Sequence, residues 1–114
     1  MKVRQVRLPR VPEANDLAPL AAIAPQLVLV FGSVGLFTAP GLFESLKSGL
    51  PGAALAGCTT AGEIGSGGVS DGELVITALH FSRSTLCVAV TDLDDMEDSR
   101  SAGGRLGLAL AAPG

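Results

Sequence analysis

Leu27-Val28-Leu29-Val30-Phe31, closed by Gly32-Ser33, decides the architecture. Five consecutive apolar, mostly branched residues ending at a glycine read as a short strand covered on both faces. Downstream, Val34 to Ala39 reads as a connection, and Thr38 with Pro40 opens a helix, since proline is tolerated in a first helical turn. Leu42, Phe43 and Leu46 fall on one face of that helix, with Glu44 and Lys47 on the other. Gly49 ends it as a glycine C-cap, and Pro51-Gly52 turns the chain into a second short buried strand, Ala53 to Gly57. A strand, a helix and a strand in that order imply a right-handed crossover joining two parallel neighbours.

Immediately after the second strand comes Gly57-Cys58-Thr59-Thr60-Ala61-Gly62-Glu63-Ile64, which gathers a thiol, two hydroxyls and a carboxylate among glycines. Open α/β sheets place their ligand sites at the carboxyl ends of strands. A second glycine group, Gly65, Gly67 and Gly68, lets backbone approach a ligand closely. The spacing then predicts a longer strand over Glu73 to Phe81. Ser82-Arg83-Ser84 is a tight connection, and Thr85 to Thr91 reads as the returning strand of a hairpin. The sheet is therefore expected to be mixed, with parallel and antiparallel pairs. Asp92 to Asp98 is an acidic turn feeding a helix from Ser99 to Ala112, which Gly103, Gly104 and Gly107 weaken.

Upstream of the first strand, Asn15 is expected to cap a short helix running to Ile23, closed by Pro25. Residues 1–12, with Lys2, Arg4, Arg7, Arg10, Pro9 and Pro12, read as an extended basic arm or an edge strand, ahead of a single α/β domain over 13–114. The final helix, with no strand after it to cover its apolar face, and an unpaired sheet edge imply that the chain is part of a larger protein or pairs with a second copy.

Composition narrows the functions. The 114 residues are 47% hydrophobic and 17% charged, with net charge −3 and neither Trp nor Tyr. That argues against disorder, and the lack of a basic, aromatic-interleaved surface argues against nucleic acid. No apolar run approaches the roughly twenty residues of a membrane span, and no leader with a cleavage site is legible. A cytoplasmic protein with two reduced, half-buried thiols, Cys58 and Cys87, is expected.

Several residues carry possible chemistry. Cys58 is a nucleophile candidate, and a thiol enzyme is the main alternative reading. The sole histidine, His80, sits on a strand where packing explains it better than catalysis. Gly32-Ser33-Val34-Gly35 follows a strand but lacks both the dinucleotide fingerprint and a P-loop lysine. The acids Asp92, Asp94, Asp95, Glu97 and Asp98 lack calcium-loop spacing, so neither metal nor cofactor is expected. Glu63 suits a ligand amine or hydroxyl, and Thr59 and Thr60 can donate hydroxyls or form local turns. A structural interaction domain is a third reading.

Val28 to Ser33 (VLVFGS), the Pro51-Gly52-Ala53 turn, Gly57 to Ile64 (GCTTAGEI) and Gly68-Val69-Ser70-Asp71-Gly72 together resemble the FIST N sensory domain. The resemblance runs from about Leu17 onward. It implies a bacterial sensory module that binds a small molecule, with amino acids the leading suggestion, and that couples to a signalling output. It also implies further sequence beyond residue 114. Gly57, Cys58, Thr60, Gly62 and Glu63 match the motif, and with Thr59 they form the expected ligand-binding set.

Overall fold

The computed structural model describes residues 1–60, 63–65, 68–70, 72–93 and 95–111. It divides into two units, Met1–Ser84 and Thr85–Gly114.

The first unit is built on a four-stranded mixed sheet. Strand β1 (Lys2–Leu8) leads to helix α1 (Ala14–Ala21), strand β2 (Leu27–Gly32), the short helix α2 (Val34–Phe37), helix α3 (Leu42–Gly49) and strand β3 (Ala54–Thr59). A small hairpin of β4 (Glu63–Gly65) and β5 (Gly68–Ser70) precedes β6 (Leu74–His80). The sheet order is β1-β6-β2-β3. The expected parallel pair is present, β2 on β3 from Leu27↔Ala54 to Gly32↔Thr59. Antiparallel pairing comes from β6, which lies between β1 and β2.

Register explains the core. Val28, Val30 and Gly32 of β2 align with Ala78, Ile76 and Leu74 of β6, and Ile76 and Leu74 align with Val6 and Leu8 of β1. Alternation puts this set on one sheet face. Helices α1 and α3 cover that face through Leu17, Leu20, Leu42 and Leu46, all buried in one cluster with the strand residues. The opposite face of β2, Leu27, Leu29 and Phe31, is only half-buried. The continuous apolar run is thus not a strand covered on both faces.

The hairpin expected over 73–91 does not form. Strand β6 is present, but Thr85–Thr91 is neither helix nor strand, and Val90 is 88% exposed. Both edges of β6 are already taken by β1 and β2, so a segment following it has no ladder to join. Antiparallel pairing enters instead from β1, the segment read as an arm or an edge strand. Likewise 63–70 carries a hairpin where a loop was expected.

Three smaller corrections concern helix ends. Helix α1 is capped from Glu13, not Asn15: the Asp16 carboxylate accepts the Glu13 N–H at 2.8 Å and is held by Arg10 at 2.6 Å. Val34–Phe37 is a helical turn capped by Ser33, whose hydroxyl accepts the Leu36 N–H. Gly49 is the last helical residue, with Leu50 as the C-cap. Phe43 leaves the buried face of α3; it is 57% exposed, with the Lys47 ammonium 5.4 Å from its ring centre.

In the second unit a 3-10 turn (Met96–Asp98) runs into α4 (Ser99–Ala111), close to the expected helix. Asp95 accepts the Asp98 N–H, and Arg105 binds the Thr91 hydroxyl, the Asp92 carbonyl and Asp98. The acidic stretch therefore serves as a turn that starts a helix.

Candidate functional site

The two parallel strands end side by side, and the glycine motif begins there. Phe31 aligns with Cys58 and Gly32 with Thr59, after which the Thr60 N–H donates to the Gly32 carbonyl at 2.9 Å. On its other side the end of β2 is held by the Ser33 N–H donating to the Glu73 carbonyl at 3.4 Å. Glu73 in turn pairs with Arg7 at 3.4 Å. The backbone at the mouth of the motif is thus fixed from both flanks.

Beside this end a groove of about 490 Å³ lies between the segment Phe37–Leu46 and strands β2 and β3. Its walls are mainly apolar, with Val30, Phe37, Leu42, Phe43, Leu46 and Leu55, and Gly57 lies at the strand side. Thr38 and Glu44 are the hydroxyl and the carboxylate among its lining residues. Its volume falls within the range of small-molecule pockets. A Cβ at Gly57 would run into the Val30 carbonyl oxygen, so glycine is required where the two strands meet the groove.

Strand β3 runs through Cys58 and Thr59, beyond the Gly57 at which it was expected to stop. It is also an edge strand, exposed from Ala56 to Thr59, so it is not the buried strand that its apolar start suggests. On an extended backbone successive side chains alternate, so Cys58 and Thr59 point to opposite faces of the sheet. Gly57 lines the groove, whereas Cys58, Thr59 and Thr60 do not. Gly62 lies outside the described residues. The backbone of Glu63 opens β4 opposite Ser70; its side chain lies outside what the structure describes.

Both cysteines are exposed, contrary to the expectation of half-buried thiols. His80 stands far from Cys58. Cys58 is level with Phe31 and hence with Val75, and His80 is five residues further along β6, ~17 Å at strand rise. Its Nδ1 lies 2.8 Å from the Ala24 carbonyl, and because a carbonyl only accepts, that nitrogen carries the proton. His80 thereby ties the end of β6 to the turn before β2 and offers Cys58 no base. Among the described residues no group of three or more His, Cys, Asp or Glu gathers as a metal site, and no helix is long and apolar enough to cross a membrane.

The groove escaped the sequence reading because its walls come from four elements, α2, α3, β2 and β3. Helix period groups Phe43 with Leu42 and Leu46, so the local pattern does not single it out; its 57% exposure does. Among known families, the model of the FIST N domain matches residues 26–113. No curated protein and no solved structure matches significantly.

Proposed function

The chain belongs to the FIST N domain family, a family of sensory signal-transduction domains, and from that premise we propose that it senses a small molecule, an amino acid being the leading class. The observation that carries the reading is the groove, which opens beside the motif at Gly57. An apolar cleft next to clustered polar groups is the usual form of a small-molecule site. In this reading the groove takes the apolar part of the ligand. Glu63 receives an ammonium or hydroxyl, while the Thr59 and Thr60 hydroxyls and nearby backbone amides receive an anionic group. Cys58 flanks the motif from the opposite face of β3.

Ligand binding would favour one conformation of the glycine motif over others and pass that bias to a signalling output domain or protein. The setting proposed for this is a bacterial cytoplasmic signalling protein. A thermal-shift screen against amino acids and related metabolites tests it. A ligand that binds only the folded state, at about a hundred times its Kd, adds ~2.7 kcal/mol of stability. One ligand class should raise Tm, and Glu63→Ala and Thr60→Ala should abolish the rise. A shift that survives both substitutions would place the site elsewhere, and no shift with any amino acid would overturn the ligand class.

A further inference from the structure

The two edges of the sheet differ in how they meet solvent. At one end β1 (KVRQVRL) carries Lys2, Arg4 and Arg7, the kind of charge that keeps an edge from pairing with another chain. At the other, β3 (ALAGCT) carries no charge and no proline, and is exposed from Ala56 to Thr59. Ala54 N–H donates to the Gln26 carbonyl and Thr60 N–H to the Gly32 carbonyl, so by the two-residue period of a strand Ala54, Ala56, Cys58 and Thr60 turn their amides toward β2. Leu55, Gly57 and Thr59 therefore direct their main-chain groups to the open side. Among the described residues no strand pairs with them.

We propose that β3 is an association edge, where a second copy of this chain pairs antiparallel across a two-fold axis at Gly57 to make one continuous eight-stranded sheet. Several features favour a second copy as the occupant. An edge that pairs with its own copy cannot carry charges of one sign only, because the two-fold gives both sides of the contact the same charges. At β1 the same operation would set the cations of the two copies against one another. At β3 it opposes Leu55 to Thr59 and Ala56 to Cys58, with only the hydrogens of Gly57 on the axis. The side-chain directions agree as well: a two-fold normal to the sheet keeps both sets of covering helices on the same face. Main-chain pairing over five residues of each strand is a small contact by itself. The half-exposed Phe43 and the groove beside β3 supply apolar surface that the joined sheet brings toward the axis.

The test is run without any ligand, so its outcome is read separately from that of the ligand screen. The chain carrying Cys87→Ser, to remove the other exposed thiol, is examined by sedimentation equilibrium up to high micromolar concentration. A dimer is expected, and adding Ala56→Lys, an exposed substitution that charges the edge, is expected to leave only monomer with Tm of the monomer unchanged. The register has its own readout. Ala56→Cys places a thiol opposite Cys58 of the second copy, in a pair close enough for a disulfide. Mild oxidation should then yield a covalent dimer, whereas Cys58 alone, offset from its symmetry mate, should not. A chain that stays monomeric, a dimer that Ala56→Lys leaves intact, or an Ala56→Cys chain that does not cross-link overturns the proposal.

Discussion

At the scale of single residues, Gly57 and Asp16 show how much can rest on one atom group. Gly57 sits where two parallel strands, the groove and the motif meet, and a methyl group there would strike the Val30 carbonyl. That obstacle is backbone, which cannot rotate away as a side chain would. Gly57→Ala should therefore destabilise by ~1–3 kcal/mol, the usual cost of overpacking, read as a fall in the urea midpoint. Asp16 is a milder case. Its hydrogen bond from Arg10, then that from the Glu13 amide, hold its carboxyl below the ordinary carboxylate range. A depressed folded-state value means the stabilisation is complete above the unfolded pKa and is lost as pH falls through the folded one. The midpoint difference between the parent and Asp16→Asn should thus be present at neutral pH and shrink below about pH 4. A difference that stays constant down to pH 2 would show that the carboxylate contributes nothing through its charge.

At the scale of elements, α3 divides its apolar residues between two jobs. Leu42 and Leu46, four apart, are buried against the sheet, while Phe43 stands 57% exposed at the groove. Leu46→Ala should cost ~2–5 kcal/mol, as emptied core positions do. Phe43→Ala should cost much less, and in the sensing reading should weaken ligand binding instead. Equal losses of stability from the two would contradict the division. This element also marks how far local sequence reaches. Helix period gives the existence and span of α3, and the same period groups Phe43 with Leu42 and Leu46. What separates them is where the helix lies over β2 and β3. The stretch Thr85–Thr91 makes the same point for strands, since its alternating apolar pattern fits a hairpin, yet β6 has no free edge to receive it.

At the scale of the molecule, the first unit is closed by its most distant pairing in sequence. β1 covers the edge of β6, with Val6 against Ile76 and Leu8 against Leu74, and Gln5 donates to the Thr77 hydroxyl at 2.9 Å. Removing residues 1–8 should leave the strand that carries Leu74, Ile76 and Ala78 exposed along one side. The expected result is a chain whose thermal unfolding, followed by circular dichroism, becomes broad or begins at much lower temperature. A truncated chain that melts as sharply as the parent, at the same Tm, would show that β1 is dispensable.

Sequence by itself determined the class of this protein: the strand, helix and strand from Leu27 to Gly57, the parallel pair they imply, the helix beginning at Ser99, and the stretches, GCTTAGEI among them, that resemble the family. All of these rest on periodicity or on contiguous residues, which one chain segment carries alone. Only the tertiary structure decided the partners of each strand, which side of β2 is covered, the exposure of Cys58, and the groove. Those depend on which edges and faces are already occupied when segments dozens of residues apart come together, and no local pattern encodes that competition.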